Sequence, residues 1–231
     1  MKSKQTFVLF FYMLIGEFPM AQSAGKYTLF FQPVYGNEKL ELGKKYVTAN
    51  KKDSVQIDLL RFYISGVEFL SNGETSWKEE NSFHLVDASV IKSMQQVIDK
   101  ASNREFNEIR FTLGIDSVTN VSGAMGGDLD PTKGMYWTWQ SGYINFKLEG
   151  ESSLSTSRGN EFQYHLGGYQ SPLASCQKIQ VKCTNSEVTT IKIDVEKIIA
   201  AMDISHFTHI MSPGKEAVLL SEKVAKQFSV Q

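Results

Sequence analysis

The chain has 231 residues, of which 42% are hydrophobic and 21% charged, and its formal net charge is −1. This composition is typical of a folded globular protein and excludes long disordered, collagen-like and coiled-coil chains. The balanced charge also argues against a nucleic-acid-binding protein, because such a protein needs a basic surface to neutralise phosphates.

The N-terminal segment has the pattern of a secretory signal peptide. Two lysines within the first four residues precede an apolar run over residues 6–15, and the small residues Ala21 and Ser23 follow it. The run has the length of a signal-peptide core and is too short to span a bilayer comfortably. We therefore predict that residues 1–23 are a signal peptide, and that residues 24–231 form a single domain in a periplasmic or secreted protein.

The rest of the chain is dominated by windows in which apolar and polar residues alternate with a period of two. Such alternation is typical of strands with one buried face. The windows are residues 27–31, 55–70, 83–86, 109–115, 143–149, 162–166, 179–182 and 190–195. Short strands at this spacing predict an all-β fold, mainly an antiparallel β-sandwich, with a few short helices.

Helical periodicity is confined to three segments. Apolar residues at three-and-four spacing predict a helix over residues 88–101 and a last helix over residues 215–228. A short helix is also expected directly after Asp194.

The connection between the strands that end near Ile115 and begin near Tyr143 has no clear periodicity. Connections of this length are uncommon in compact domains and are usually functional. This one contains Trp137 and Trp139, whose spacing would place both rings on one face of a strand. A pair of tryptophans packed in the core is the structural alternative to a functional role.

Four hard oxygen ligands also lie in this connection, namely Asp116, Asn120, Asp128 and Asp130. Carboxylate and amide oxygens suit calcium, so a calcium site is one interpretation of these residues. The full calcium-loop pattern with its final glutamate is missing, and capping of turns by these side chains is the alternative.

The end of the connection carries a family resemblance. Residues 135–143, Met-Tyr-Trp-Thr-Trp-Gln-Ser-Gly-Tyr, resemble the M-x-W-x-W-Q-x-G-Y signature of the MbnP-like family of periplasmic copper proteins. Other segments agree with this resemblance and together extend it over most of the mature chain. They are residues 61–65, 85–87, 113–116 with Asn120, 130–131 and 162–168, the last of which resembles the H-x-G strand of the family.

The resemblance implies an exported β-rich protein that binds copper and serves copper acquisition or handling. In relatives a tryptophan is oxidised to kynurenine by a dihaem cytochrome c peroxidase of the MauG type, and the new amine joins histidine nitrogens on copper. Carried over, Trp137 or Trp139 is the oxidation candidate and His165 is the histidine ligand. An outer-membrane transporter is a further expected partner. Copper-binding relatives often have histidine directly after the asparagine matching Asn120, where this chain has Val121.

A complete ligand set therefore needs another histidine, or else the chain keeps the fold without the metal. The candidates besides His165 are His84, His206 and His209. On a helix, the H-x-x-H spacing of the last two would turn both rings to one side. An exposed surface position is the alternative for each of the four.

The two cysteines, Cys176 and Cys183, lie seven residues apart in a chain that we expect to be exported. Thiols oxidise outside the cytoplasm, so the sequence predicts a disulfide between them. A soft-metal site with two thiolates is the alternative.

Familiar catalytic motifs are missing from the sequence. It has no G-x-S-x-G elbow, no H-E-x-x-H motif and no Walker loop. We therefore expect a binding protein and not an enzyme. The alternative to a copper protein is a secreted, non-catalytic interaction module that binds a protein or a glycan without metal.

Overall fold

A computed structural model describes residues 25–100, 105–140 and 142–231, which form fifteen β-strands and three α-helices. The predicted signal peptide lies outside the described residues. The strands are β1 (Gly25–Tyr35), β2 (Glu38–Lys39), β3 (Lys45–Val47), β4 (Ser54–Ser71), β5 (Glu74–Lys78), β6 (Phe83–Asp87), β7 (Gln95–Lys100), β8 (Glu108–Leu113), β9 (Tyr136–Trp137), β10 (Gly142–Ser152), β11 (Glu161–Gly167), β12 (Gln177–Lys182), β13 (Val188–Asp194), β14 (His209–Ile210) and β15 (Phe228–Val230). The α-helices are α1 (Ser117–Val121), α2 (Val195–Ala201) and α3 (Lys215–Ala225).

Strand pairing divides the described strands into two sheets. In the smaller sheet, β1 pairs in parallel with β13 and antiparallel with β2 and β7, and β15 pairs antiparallel with β13. In the larger sheet the order is β12-β8-β4-β10-β11-β14, with β3, β5 and β6 alongside β4 and with β9 alongside β10. The pair formed by β11 and β14 is parallel.

The two sheets pack face to face around one main core. Phe31 on β1 meets Phe62 on β4 and Phe111 on β8, with ring centroids 5.6 and 5.8 Å apart in edge-to-face geometry. Such aromatic contacts add to the free energy gained by burying apolar area. The predicted all-β fold is confirmed as two curled, mainly antiparallel sheets packed as a sandwich.

The larger sheet also has an outer face that points away from the smaller sheet. Phe62 and Ile64 belong to the main core, and successive side chains of a strand point to opposite sides, so Tyr63 between them points outwards. On β11 the core residues are Phe162, Tyr164 and Leu166. The residues between and after these, which include the histidine of this strand, therefore lie on the outer face.

Two of the three predicted helices are present, although the last one ends at Ala225 and Phe228 belongs to β15. The carboxylate of Asp194 accepts a hydrogen bond from the backbone N–H of Lys197 and caps α2, and α3 turns Ala217 and Val224 towards the main core. Within the described part of the chain, no helix has both the length and the apolar character needed to cross a membrane.

The helix predicted over residues 88–101 is wrong. A 3₁₀ turn covers Ile91–Met94, and Gln95–Lys100 is strand β7, which pairs with β1. Ile91 and Val97 are exposed, whereas Ile98 is fully buried. The apolar residues fitted a helical stripe by spacing, but pairing with a strand distant in sequence decided the structure.

The predicted disulfide is also wrong, because both cysteines are free thiols. Cys176 directly precedes β12 and Cys183 directly follows it. An extended chain rises about 3.3 Å per residue, so seven residues separate the two Cα atoms by roughly 23 Å. A disulfide needs Cα atoms within about 7 Å of each other, and the same separation excludes one metal ion shared by both thiolates.

We predict that two cysteine thiols per molecule react with a thiol reagent when the chain is unfolded in the absence of reductant. In the folded protein the reaction is slow, because burial raises the pKa of both thiols to about 11 and leaves little reactive thiolate. Thiol titration with and without denaturant measures both values. Replacement of Cys176 by serine lowers the denatured count to one, and a count of zero in the parent protein would contradict the strand geometry.

Candidate metal centre

The long connection after β8 folds back over the outer face of the larger sheet. There it builds a second buried cluster, which consists of Tyr63, Leu85, Ile115, Leu129, Met135, Trp137, Tyr143 and Ile144. Two tyrosines of the sheet hold the connection by its backbone. The hydroxyl of Tyr63 donates to the carbonyl of Asp128 at 2.9 Å, and that of Tyr143 donates to the carbonyl of Leu129 at 3.1 Å. The connection is therefore a packed layer with its own small core.

The oxygen ligands considered for calcium serve local hydrogen bonds. Asp116 accepts from the backbone of Thr119 and caps α1, and Asp130 accepts from the backbone of Thr132 and caps the following 3₁₀ turn. The hydrogen bonds from Thr132 lower the pKa of Asp130. These are the capping roles that the alternative interpretation assigned to such side chains.

The other two oxygen ligands are occupied as well. Asn120 is buried, accepts from the backbone N–H of Tyr143 at 2.8 Å and donates to the carbonyl of Ile115 at 2.9 Å. Asp128 accepts from the backbone N–H of Leu85 and from Lys133. Among the described residues, no three or more His, Cys, Asp or Glu side chains gather into a metal-binding group.

The two tryptophans lie on a hairpin and only one of them is buried. Strand β9 ends at Trp137, which pairs with Gly142, and Trp139 lies in the turn that follows. Trp137 is 7% exposed and Trp139 is 66% exposed. Trp139 lies outside the strand, so the strand spacing does not apply to the pair, although the ring centroids are still only 5.8 Å apart.

The buried indole rests on the backbone of β11. A Cβ atom built on Gly167 would lie 2.5 Å from Cζ3 of Trp137 and 2.7 Å from the carbonyl oxygen of Tyr143. Only glycine leaves room for this approach. Because Gly167 and His165 are two residues apart on one strand, the indole lies on the same face of β11 as the imidazole.

His165 is buried at 6% exposure, and its ring nitrogen Nε2 lies 2.6 Å from Oε1 of Glu149 on β10. Lys147 lies 3.4 Å from the same carboxylate oxygen. No described residue forms a hydrogen bond with Nδ1 of His165. A carboxylate that binds one imidazole nitrogen and leaves the other available is the arrangement that orients histidines towards metals.

Burial controls the protonation of this pair. It lowers the pKa of His165, and the hydrogen bond with Glu149 opposes this effect without overcoming it. For Glu149, burial favours the protonated acid, but the hydrogen bond with His165 and the charge of Lys147 outweigh it and lower the pKa of the carboxyl. The stable state near neutral pH is a neutral imidazole beside a carboxylate, and only the neutral imidazole has a lone pair for a metal.

His209 is the second histidine on this face. Strand β14 pairs in parallel with β11 and places His209 opposite Gln163, two residues before His165. Tyr164 and its partner Ile210 face the main core, so Gln163 and His209 face outwards. His209 lies near enough to lower the pKa of His165 electrostatically. Trp137, His165 and His209 thus share one side of β11.

The structure places the remaining two histidines differently. His84 pairs with Ile64, whose side chain is in the main core, and its Nε2 lies 2.8 Å from Glu79. It therefore lies on the side of the larger sheet opposite His165. His206 is in an exposed turn, where Nδ1 contacts Asp203. The H-x-x-H pair is not helical, because His206 belongs to the turn and His209 to β14.

Sequence reasoning missed two residues of the site. Glu149 was not connected with His165, although its position on the polar side of an alternating strand was a usable signal. Gly167 belongs to the segment that resembles the H-x-G strand, but no local pattern shows that its missing side chain makes room for an indole.

Two of the comparisons with known proteins give a match. A family model described as MbnP matches residues 24–212, which include the tryptophan motif and all four histidines. Among solved structures, the chain is similar to MbnP from Methylosinus trichosporium, with 15% sequence identity and a TM-score of 0.54. The match covers 78% of this chain and 79% of that one, and at this identity it concerns the fold. No curated protein matches the chain.

We predict that Gly167→Ala destabilises the protein by about 1–3 kcal/mol, because the new methyl group meets both an indole and a backbone carbonyl that cannot easily move. Urea unfolding followed by tryptophan fluorescence measures the change. Gly126→Ala is the matched control, since φ is −94° there and nothing lies within 4 Å of the added Cβ. Equal unfolding midpoints for both variants would show that the indole is not seated on Gly167.

We predict that the imidazole of His165 titrates below its ordinary pKa of 6.5 in the metal-free protein. Glu149→Gln lowers this pKa further, because a neutral amide no longer favours the imidazolium ion. NMR titration of the ring protons measures both values. A pKa at or above 6.5, or one that rises in Glu149→Gln, would contradict the assignment.

The same pair predicts how stability depends on pH. The pKa of His165 is lower in the folded than in the unfolded protein. Its contribution to the free energy of unfolding is therefore complete above pH 6.5 and is lost as the pH falls. Glu149 acts in the same direction at lower pH, because its folded-state pKa is also lowered. Urea midpoints measured across this range are therefore expected to fall with acidification.

Proposed function

The chain belongs to the MbnP family, and we propose that it is an exported copper-binding protein that holds the metal on the outer face of β11. The family match begins at residue 24, directly after the predicted signal peptide, which supports export. We propose a binding protein for copper acquisition or handling, without catalytic activity of its own.

One observation carries this proposal. The buried ring of Trp137 rests on Gly167, on the same side of β11 as the imidazole of His165. His165 offers Nδ1, since Nε2 is engaged by Glu149, and His209 offers a second imidazole beside it. Imidazole nitrogens suit copper, whose divalent ion binds such donors most tightly among the first-row metals.

The unmodified side chains do not provide a complete set of metal ligands. The described part of the chain offers no group of three conventional ligands, and an intact indole has an N–H donor but no free lone pair. Oxidation of Trp137 to kynurenine opens the pyrrole ring and leaves an aromatic amine, which would complete the set. The family resemblance points to a dihaem peroxidase of the MauG type as the oxidant, and to an outer-membrane transporter as a partner in copper handling.

The test is copper binding by protein purified from its native host or produced together with the dihaem peroxidase. We expect His165→Ala to weaken copper binding by about tenfold or more in competition with a chromophoric chelator, because removing even a residue that supports a ligand costs that much. Trp137→Phe abolishes both the kynurenine mass change in the 135–143 peptide and tight copper binding.

His84→Ala is the matched control, because this histidine is also paired with a glutamate but lies on the other side of the sheet. We expect it to bind copper as the parent protein does. Native protein with an intact Trp137 and no copper would contradict the proposal and favour the metal-free interaction module.

A further inference from the structure

We propose that Trp139 is a redox relay, through which an oxidant too large to reach the buried Trp137 withdraws electrons from it. This inference rests on the proposed function, in which Trp137 is the tryptophan that becomes oxidised. It assigns a role to the exposed tryptophan, which the proposed metal site does not use.

The two indole rings differ in their access to solvent. Trp137 is 7% exposed, and its ring contacts the backbone of β11 on one side. Trp139 is 66% exposed in the neighbouring turn, and exposing so large an apolar ring to water gives up the free energy of burying it. A protein-sized oxidant can approach Trp139 directly, whereas the buried ring is largely covered by its own chain.

The two indole rings are also close to each other. The centroids of the two indoles are 5.8 Å apart with 46° between the ring planes, so their π-systems are neighbours. Electron transfer between neighbouring aromatic rings requires no atom or group to be transferred between them. The short separation therefore connects the solvent-exposed ring electronically with the buried one.

The buried tyrosines near Trp137 are a poorer route for the electron. Tyr63 and Tyr143 also lie in the second cluster, but a tyrosine must lose its hydroxyl proton when it is oxidised to a neutral radical. Both hydroxyls donate to backbone carbonyls, which are poor bases, and burial raises the pKa of both. An indole can lose an electron first and keep its proton, so the tryptophan pair is the easier path.

The relay step consists of two single-electron transfers. The external one-electron oxidant, such as a high-valent haem enzyme, takes an electron from the indole of Trp139 and is reduced by one electron. Trp137 then gives an electron to the Trp139 radical cation, which returns to intact tryptophan. The net result is one electron lost by Trp137 and one gained by the oxidant, with no bond made or broken.

The test uses the full chain produced in a foreign host, where the tryptophans are unmodified. Photogenerated tris(bipyridine)ruthenium(III) is the probe, since it is a bulky one-electron oxidant that does not enter the protein. We expect Trp139→Phe to slow the oxidation of Trp137 by about tenfold or more, equivalent to a barrier about 1.4 kcal/mol higher. Peptide mass spectrometry at low conversion gives the yield at each tryptophan.

Two further variants separate a relay from a packing effect. Trp139→Tyr restores fast oxidation of Trp137, because an exposed tyrosine can release its proton to water, whereas phenylalanine has a similar ring but is not oxidised. Trp77→Phe is the matched control, since Trp77 packs beside Phe69 at the edge of the main core. We expect this variant to leave the rate of Trp137 oxidation unchanged.

Three outcomes would overturn the relay: an unchanged rate in Trp139→Phe, equal slowing by phenylalanine and tyrosine at this position, or equal slowing by Trp77→Phe. The ruthenium assay needs neither copper nor kynurenine. Its failure therefore leaves the copper proposal standing, and failure of copper binding leaves the relay result valid.

Discussion

The contact between Trp137 and Gly167 is the constraint on which the rest of the outer face depends. An indole can approach the backbone of β11 this closely only because Gly167 has no side chain, and a Cβ there would lie 2.5 Å from the ring. The contact attaches the far end of the long connection to the larger sheet. It also places the indole of Trp137 on the side of β11 that carries His165.

The electrostatics of this face follow from partly burying the carboxylate of Glu149 while keeping its hydrogen-bond and ionic partners. Glu149 stays ionised because His165 and Lys147 both contact its carboxylate, and His165 stays neutral because it is buried. A carboxylate left alone in such a place would be costly. Here it fixes the orientation of the imidazole and keeps one of its nitrogens available for a metal.

Local patterns in the sequence were sufficient for most of the fold. The alternation along β8, β10 and β11 depends only on neighbouring residues, and the capping carboxylate of Asp194 marks the start of α2 in the same way. The exceptions required non-local information. Residues 95–100 form a strand because β1 pairs with them, and the free cysteines follow from the extended strand that separates them.

The candidate site was less predictable, because it depends on which strands become neighbours. The tryptophan motif and His165 were identified from the resemblance, but the choice of a second histidine needed the parallel pairing of β11 with β14. No spacing along the chain connects His165 with His209, since 43 residues of the sequence lie between them. His84 was a candidate for the same reason as His165, but it lies on the other side of the larger sheet. Alternation along a strand does not reveal which side of the sheet a histidine occupies.

Val121 occupies the position at which the family resemblance leads us to expect a histidine. It is 73% exposed at the end of α1, directly after the buried Asn120. Asn120 holds the start of β10 by accepting a hydrogen bond from the backbone N–H of Tyr143. The described imidazole nearest in strand order to His165 instead comes from β14, which pairs with the edge of β11 that faces away from β10. We therefore propose His209 as the second histidine of the copper site, which would place this ligand on β14 and not at the end of α1.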